Sequence, residues 1–210
     1  MILIGQYDSP FVRRVAIAMA IYELPYEHRP WSVFANAEEL ARYNPLRRVP
    51  VLVLDDALEL VESSAILDAL DEMVDADRAL VPRAGGGRRE VMRVCAFATG
   101  LADKAVSLFY EGRLHAEPSS VWVGRCRIQM ADTLDLLERE RAARHTPWWF
   151  SDALTHADIA VACVLRFVGE SHPAFWDPAR WPSLAAHSAR AEALPVFQTI
   201  AQPLTVAVSA

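Results

Sequence analysis

The stretch from Arg47 to Ser64 restricts the fold most, because it reads as strand, turn, strand and helix start with a proline where a strand tolerates it poorly. Val49-Pro50-Val51-Leu52-Val53-Leu54 is β-branched and aliphatic, Asp55-Asp56 supplies turn chemistry, Leu58 and Leu60 flank Glu59, and Glu62-Ser63-Ser64 opens a helical run. Proline lacks a ladder donor, so Pro50 belongs at a strand's first residue, at an edge or in a tight turn, where the cis isomer becomes accessible. Just ahead of an apolar strand, it leaves the Val49 backbone turned outward, free to pair with an extended ligand; an ordinary strand-entry proline fits the same pattern. Ser63 falls at a helix N-terminus, where unpaired donors and the dipole favour a carboxylate. Glu62 offers a charge for an ammonium, and both residues also fit simple capping.

The preceding chain supplies the rest of a sheet. Ile2-Leu3-Ile4 is a short apolar run ended by Gly5, Ser9 and Pro10 are an N-cap and first helical residue, and Val12, Val15, Ala16 and Met19 keep helical spacing to about Glu23. Pro25 resets the chain, 26–31 reads as a second strand and 38–43 as a short helix. Residues 75–87, ending in Gly85-Gly86-Gly87, read as an interdomain linker, and the glycines lack the Lys-Ser/Thr pair of a phosphate loop. From Arg88 the pattern is helical throughout: Val91, Val94, Cys95, Ala98, Leu101, Ala102, Ala105, Leu108 and Phe109 line one long helix, and 119–141 a second, antiparallel to it. Thr155 and Asp158 form a capping box for a third, with Leu154 against Ile159 as its hydrophobic staple. His156 is expected at the surface or as a neighbour of that cap, and not as a base.

Composition narrows the function. A chain of 210 residues can bury a sizeable core unaided, and a net charge of −6 argues against electrostatic nucleic-acid binding. Cys95, Cys126 and Cys163 are odd in number and lack ligand spacing, as in reduced core thiols, so no metal is expected. No run is long and apolar enough to span a bilayer, and the start lacks a secretory pattern, which points to a cytoplasmic residence.

Asn44-Pro45-Leu46-Arg47-Arg48-Val49-Pro50-Val51-Leu52 followed by Glu62-Ser63-Ser64-Ala65-Ile66 resembles the NPxxxVPxL and ESxAI signature of the cytosolic glutathione transferases. The resemblance covers nearly the whole chain. Thr-His-Ala-Asp-Ile-Ala at 155–160 is similar to the family's buried C-terminal capping box, and Trp176 to Phe197 to its closing segment. It implies a thioredoxin-like βαβ-ββα domain over 1–75, a linker over 76–87 and an all-α helical bundle over 88–210. It also implies that Pro50 is cis, that the Val49 backbone pairs with the cysteinyl part of glutathione, and that Glu62 and Ser63 hold the γ-glutamyl end. Arg48 would take the glycyl carboxylate, with Trp31, Ser32 and His28 nearby.

Tyr7-Asp8-Ser9-Pro10-Phe11 resembles the Ser-Pro-Phe run of many bacterial members and the Cys-Pro-Phe of omega-like ones. The family uses a residue here to donate a hydrogen bond to the glutathione sulfur, which makes Ser9 the first candidate and Tyr7 the second. Phe11 belongs to the glutathione-binding set, and Arg13, one turn on, could raise the local potential, although an arginine so placed is more often solvated or structural. The chemistry needs a donor: lowering a thiol pKa of ~8.5 by ~2 units takes about 2.7 kcal/mol of preferential thiolate stabilisation. Serine cannot form a mixed disulfide, which disfavours a thiol reductase.

The resemblance further implies a second substrate, a small hydrophobic electrophile, between Ser9 and the first long helix, with Asp103, Val106 and Tyr110 at candidate positions. It implies a homodimer in a detoxification role. A non-catalytic glutathione-binding or stress-response module is the alternative. The Ser-Ser-Cys motif of maleylacetoacetate isomerases is absent.

Overall fold

The computed structural model describes residues 1–204. The last six residues of the expected 88–210 domain lie outside the described residues. Two compact units are present, one formed by Met1–Arg83 with the chain from Pro195 on, the other by Ala84–Leu194.

In the first unit, β1 (Ile2–Ile4), α1 (Pro10–Ile21), β2 (Glu27–Arg29), α2 (Ala37–Ala41), β3 (Val51–Val53), β4 (Glu59–Val61) and α3 (Ser63–Glu72) follow the expected βαβ-ββα order. The sheet runs β2-β1-β3-β4, with β1 parallel to β2 and antiparallel to β3. Leu3 is paired with His28 on one side and Leu52 on the other. The central strands carry Leu3, Ile4, Val51 and Leu52, all fully buried, as continuous apolar runs of inner strands require. Exposed Glu27 and Glu59 mark the edges, where charge discourages further pairing. Ile4, Leu40, Val51 and Val53 form a core against which Trp31, Tyr43 and Val49 pack.

The short helix α8 (Pro195–Thr199) belongs to this unit and not to the helical one. Arg13 explains why. Its side chain is buried and donates through Nε to the carbonyl of Ile200 and through a terminal nitrogen to that of Phe197, at 2.8 Å each, with the guanidinium over the Phe197 ring.

The second unit contains α4 (Gly85–Leu114), α5 (Ser120–Ala142), α6 (His156–Ser171) and α7 (Pro182–Glu192). The apolar residues expected to face inward from α4 are buried, save the half-buried Leu108. α6 is apolar nearly all round and packs against both α4 and α7, as a helix without a polar face must. Its capping box is closed: the buried Asp158 accepts the Thr155 N–H and hydroxyl at 2.8 Å and the Trp149 N–H at 2.6 Å.

Two expectations change here. Gly85, Gly86 and Gly87 open α4 and do not form a linker; first-turn N–H groups have no helical partner to lose, so glycine is tolerated there, and at Gly85 its freedom is used, with φ +85°. Of the two places open to His156 the surface is ruled out: it is buried next to the cap residue Thr155, because α6 is enclosed from its first residue.

Candidate functional site

Gly5 brings three segments of the first unit together. It has φ +131°, and a Cβ there would lie 2.5 Å from Val12 Cγ2 and 2.9 Å from Val49 Cβ. The end of β1, the first turn of α1 and the loop before β3 therefore meet at a position that only glycine can occupy.

Ser9 is held beside that junction as the N-cap of α1, with Pro10 in the first helical position. Its Oγ accepts the Val12 N–H at 3.4 Å, beyond the usual range for such a bond, so the cap is weak. Among the described residues the hydroxyl proton of Ser9 goes to no acceptor. The site thus offers a helix N-terminus and an uncommitted O–H donor. Phe11, at the second helical position, is half-buried.

The second candidate hydroxyl points to other work. Tyr7 Oη lies 2.8 Å from Tyr26 Oη, and its ring stacks on His28 at 4.0 Å with the planes 2° apart. Burial first, then the bond to Tyr26, pushes its phenol above the ordinary tyrosine range. A phenol tied to Tyr26, the residue before β2, and made harder to ionise is a poor partner for a thiolate. His28 is itself committed to the Gly5 carbonyl at 2.8 Å, and Trp31 packs on Tyr43. Arg13 spends its guanidinium on the chain at 197–200, so of the readings open to it the structural one holds.

Asn44 shapes the loop before β3. Buried itself, it donates from Nδ2 to the Arg48 carbonyl at 2.9 Å and accepts the Leu46 N–H at 3.0 Å, while its own carbonyl receives the Arg47 N–H at 2.8 Å. The loop ends in a cis Val49-Pro50 bond. Among the described residues the Val49 peptide groups have no hydrogen-bond partner. Asn44 and Gly5 are the two site-shaping residues that sequence reasoning did not single out. The Asn-Pro dipeptide, a turn signal, was the available clue.

From β4 the chain enters α3 through Glu62, whose φ of 67° and ψ of 119° are unusual for a residue with a side chain. Such backbone values carry strain and concentrate where a segment serves a ligand. No side chain caps α3, and Ser63, at its first position, is buried with no described partner for its hydroxyl. The donors that a carboxylate would use are therefore unspent. Arg48 and Glu62 form an ion pair at 3.5 Å with both side chains about half exposed at 54%, so the two charges expected at opposite ends of a ligand hold each other. Exposed pairs of this kind are worth about 0–1 kcal/mol, a small loss to exchange for ligand contacts.

In the second unit, Asp103, Val106 and Tyr110 fall at i, i+3 and i+7 on α4 and so share one side of it. Asp103 is exposed and paired with Lys104 at 2.9 Å, and the other two are half-buried. The three cysteines are free thiols buried in this unit, and burial raises the pKa of Cys126. Among the described residues no group of His, Cys, Asp or Glu is arranged to hold a metal, and no helix is long and apolar enough to cross a membrane.

Comparison with known proteins falls on the same segments. Residues 3–77 match the family model of the glutathione S-transferase N-terminal domain and 120–190 that of the C-terminal domain. An uncharacterized GST-like protein of Escherichia coli, YibF, is 31% identical over 176 residues, 79% of this chain and 81% of its own. A crystal structure of a glutathione S-transferase from Methylobacterium radiotolerans, in complex with glutathione sulfonate, superposes with TM-score 0.88 at 33% identity over 99% of both chains. One from Methylobacillus flagellatus with glutathione bound gives 0.87 at 27% identity, covering 95% of this chain and 98% of its own.

Proposed function

Since this chain belongs to the glutathione S-transferase family, we propose that it binds reduced glutathione along β3 and the start of α3, and that Ser9 stabilises the thiolate for attack on a small hydrophobic electrophile. The observation that carries this is the set of unspent donors at the α3 N-terminus, facing a loop whose Val49 peptide groups are unpaired as well. Ser63 and the first N–H groups of α3 take the γ-glutamyl carboxylate, Glu62 its ammonium, the Val49 backbone the cysteinyl peptide ahead of Pro50, and Arg48 the glycyl carboxylate.

Ser9 then donates its free proton to the sulfur while the α1 N-terminus adds its dipole. Thiolate formation and orientation provide the rate. Tyr7 is placed second because its hydroxyl is bonded to Tyr26. Phe11 packs beside the sulfur, and Asp103, Val106 and Tyr110 are the residues of α4 assigned to the electrophile. A homodimer is the expected assembly.

The test is retention on immobilised glutathione with elution by free glutathione, followed by turnover of an electrophile panel. Ser9→Ala is expected to lower kcat/KM about 100-fold, corresponding to the ~2.7 kcal/mol of thiolate stabilisation, and Tyr7→Phe less than twofold. Retention without turnover in the wild type would identify a binding module; loss of rate only in Tyr7→Phe would reverse the choice of hydroxyl.

A further inference from the structure

The second unit holds a cluster of charge that neither glutathione nor an electrophile uses. A cavity of about 190 Å3 is lined by Arg141, Ala142, Arg144, Ser183, Ala186, His187 and Arg190, where the end of α5 meets α7. That is several times the ~30 Å3 of one water molecule, room for a five-heavy-atom oxyanion.

Three guanidiniums and no carboxylate line it. The acids nearby are already engaged: Asp158 holds the α6 cap, and both oxygens of Glu138 accept N–H groups of Ser183 and Leu184 at 2.9 Å. Arg144 and Arg190 have only neutral partners among the described residues, Arg144 over the Phe150 ring and Arg190 against Trp148 and the Pro147 carbonyl.

Arg141 is 92% buried, with a terminal nitrogen donating to the Thr146 and Pro147 carbonyls at 2.9 Å and Nε left without a partner. Its charge is disfavoured by burial and by both neighbouring arginines. His187, 1% exposed, donates from Nε2 to the Asp158 carbonyl at 3.2 Å and has an unpartnered Nδ1. One buried donor without a partner, Arg141 Nε, thus sits on a residue that lines the cavity, whereas the His187 Nδ1 is a lone-pair nitrogen and offers an anion no proton. The desolvated charge of Arg141 beside two further guanidiniums is stabilised by an anion, and guanidinium is the side chain whose planar fork suits oxyanions.

We propose that the Arg141–Arg144–Arg190 cavity is an anion site that takes a phosphate group, remote in sequence from every residue assigned to glutathione. The three positive charges outnumber the two nearby acids, Asp158 and Glu138, neither of which lines the cavity, and an anion of higher charge gains most from them, which favours phosphate over a monovalent carboxylate. The phosphate is either inorganic or the end of a small phosphomonoester.

Calorimetric titration of the full chain with inorganic phosphate and with O-phosphoserine, at ionic strength matched with chloride, separates the two sources. Saturable binding of either, weakened at least tenfold in R144Q/R190Q, supports the site, and the tighter ligand identifies the source. If the double variant does not fold, R144E alone is used, at a half-buried residue; the same loss is expected. No saturable heat with either ligand, or binding unchanged in the variants, overturns the proposal. Glutathione-dependent turnover is expected to be equal in wild type and variants, so a failure here leaves the assignment of Ser9 untouched.

Discussion

The N-termini of α3 and α6 start from similar sequence and end in opposite states. Each opens with a hydroxyl residue and an acid, Glu62-Ser63 in one case and Thr155 with Asp158 in the other. At α6 the acid turns back, and its two oxygens satisfy two N–H groups and a hydroxyl. At α3 the acid faces solvent, its backbone sits at positive φ, and no side chain caps the helix. Helix ends with spent donors hold a fold together, whereas an end left open and reached through a strained residue is equipped for a ligand.

The sharpest way to break that contrast is Asp158→Ala. It removes the acceptor for the Trp149 and Thr155 N–H groups in a fully buried setting, and the loss of charged, buried hydrogen bonds together with the cap should destabilise the fold by on the order of 3 kcal/mol. Urea denaturation measures this. Glutathione affinity of the folded fraction should be unchanged, and a loss of less than 1 kcal/mol would show that the α6 cap is not structural.

Ser63→Ala makes the converse test. With no hydroxyl partner to lose among the described residues, the substitution should leave the urea midpoint nearly unmoved while weakening glutathione about tenfold, about 1.4 kcal/mol. A drop in stability with unchanged affinity would make α3 an ordinary capped helix.

The smallest effect expected is on pH dependence. His172, which bonds to the Ala105 carbonyl at 2.8 Å, has its pKa lowered, first by burial, as does His187. A histidine depressed in the fold is neutral in the native state and takes up a proton on unfolding below about 6.5. Its stability contribution is therefore complete above that pH and is lost as pH falls toward the depressed folded value. The melting temperature of wild type should fall between pH 7 and 5, and that of His172→Gln should fall less steeply. Both histidines lie in the second unit, so the same acidification should leave Ser63-dependent affinity comparatively unaffected.

Much of the architecture was legible beforehand. The apolar triplets at β1 and β3, the Ser9-Pro10 entry to α1, and the Thr155–Asp158 box are short-range signals, each acting within a few residues. The legible part of the site was the Val49-Pro50 and Glu62-Ser63 pair of motifs. The readings that changed had two sources: Gly85-Gly86-Gly87 has the composition of a loop yet opens α4, and the places of Arg13 and His156 depended on partners distant in the chain. Arg13 lies one turn from Ser9 on a helix, yet its side chain is claimed by carbonyls at Phe197 and Ile200. His156 follows a cap, yet α6 is enclosed on all sides.

By itself, then, the sequence determined most of the segments that become strands and helices and where α1 and α6 begin, because alternation, capping and proline act locally. Which of two neighbouring hydroxyls remains free was decided only in three dimensions, when Tyr26 came within 2.8 Å of Tyr7 across 19 residues of chain while Ser9 met no acceptor among the described residues. The gathering of Arg141, Arg144 and Arg190 was decided the same way, since like charges come together only where two helices pack and other contacts outweigh their repulsion.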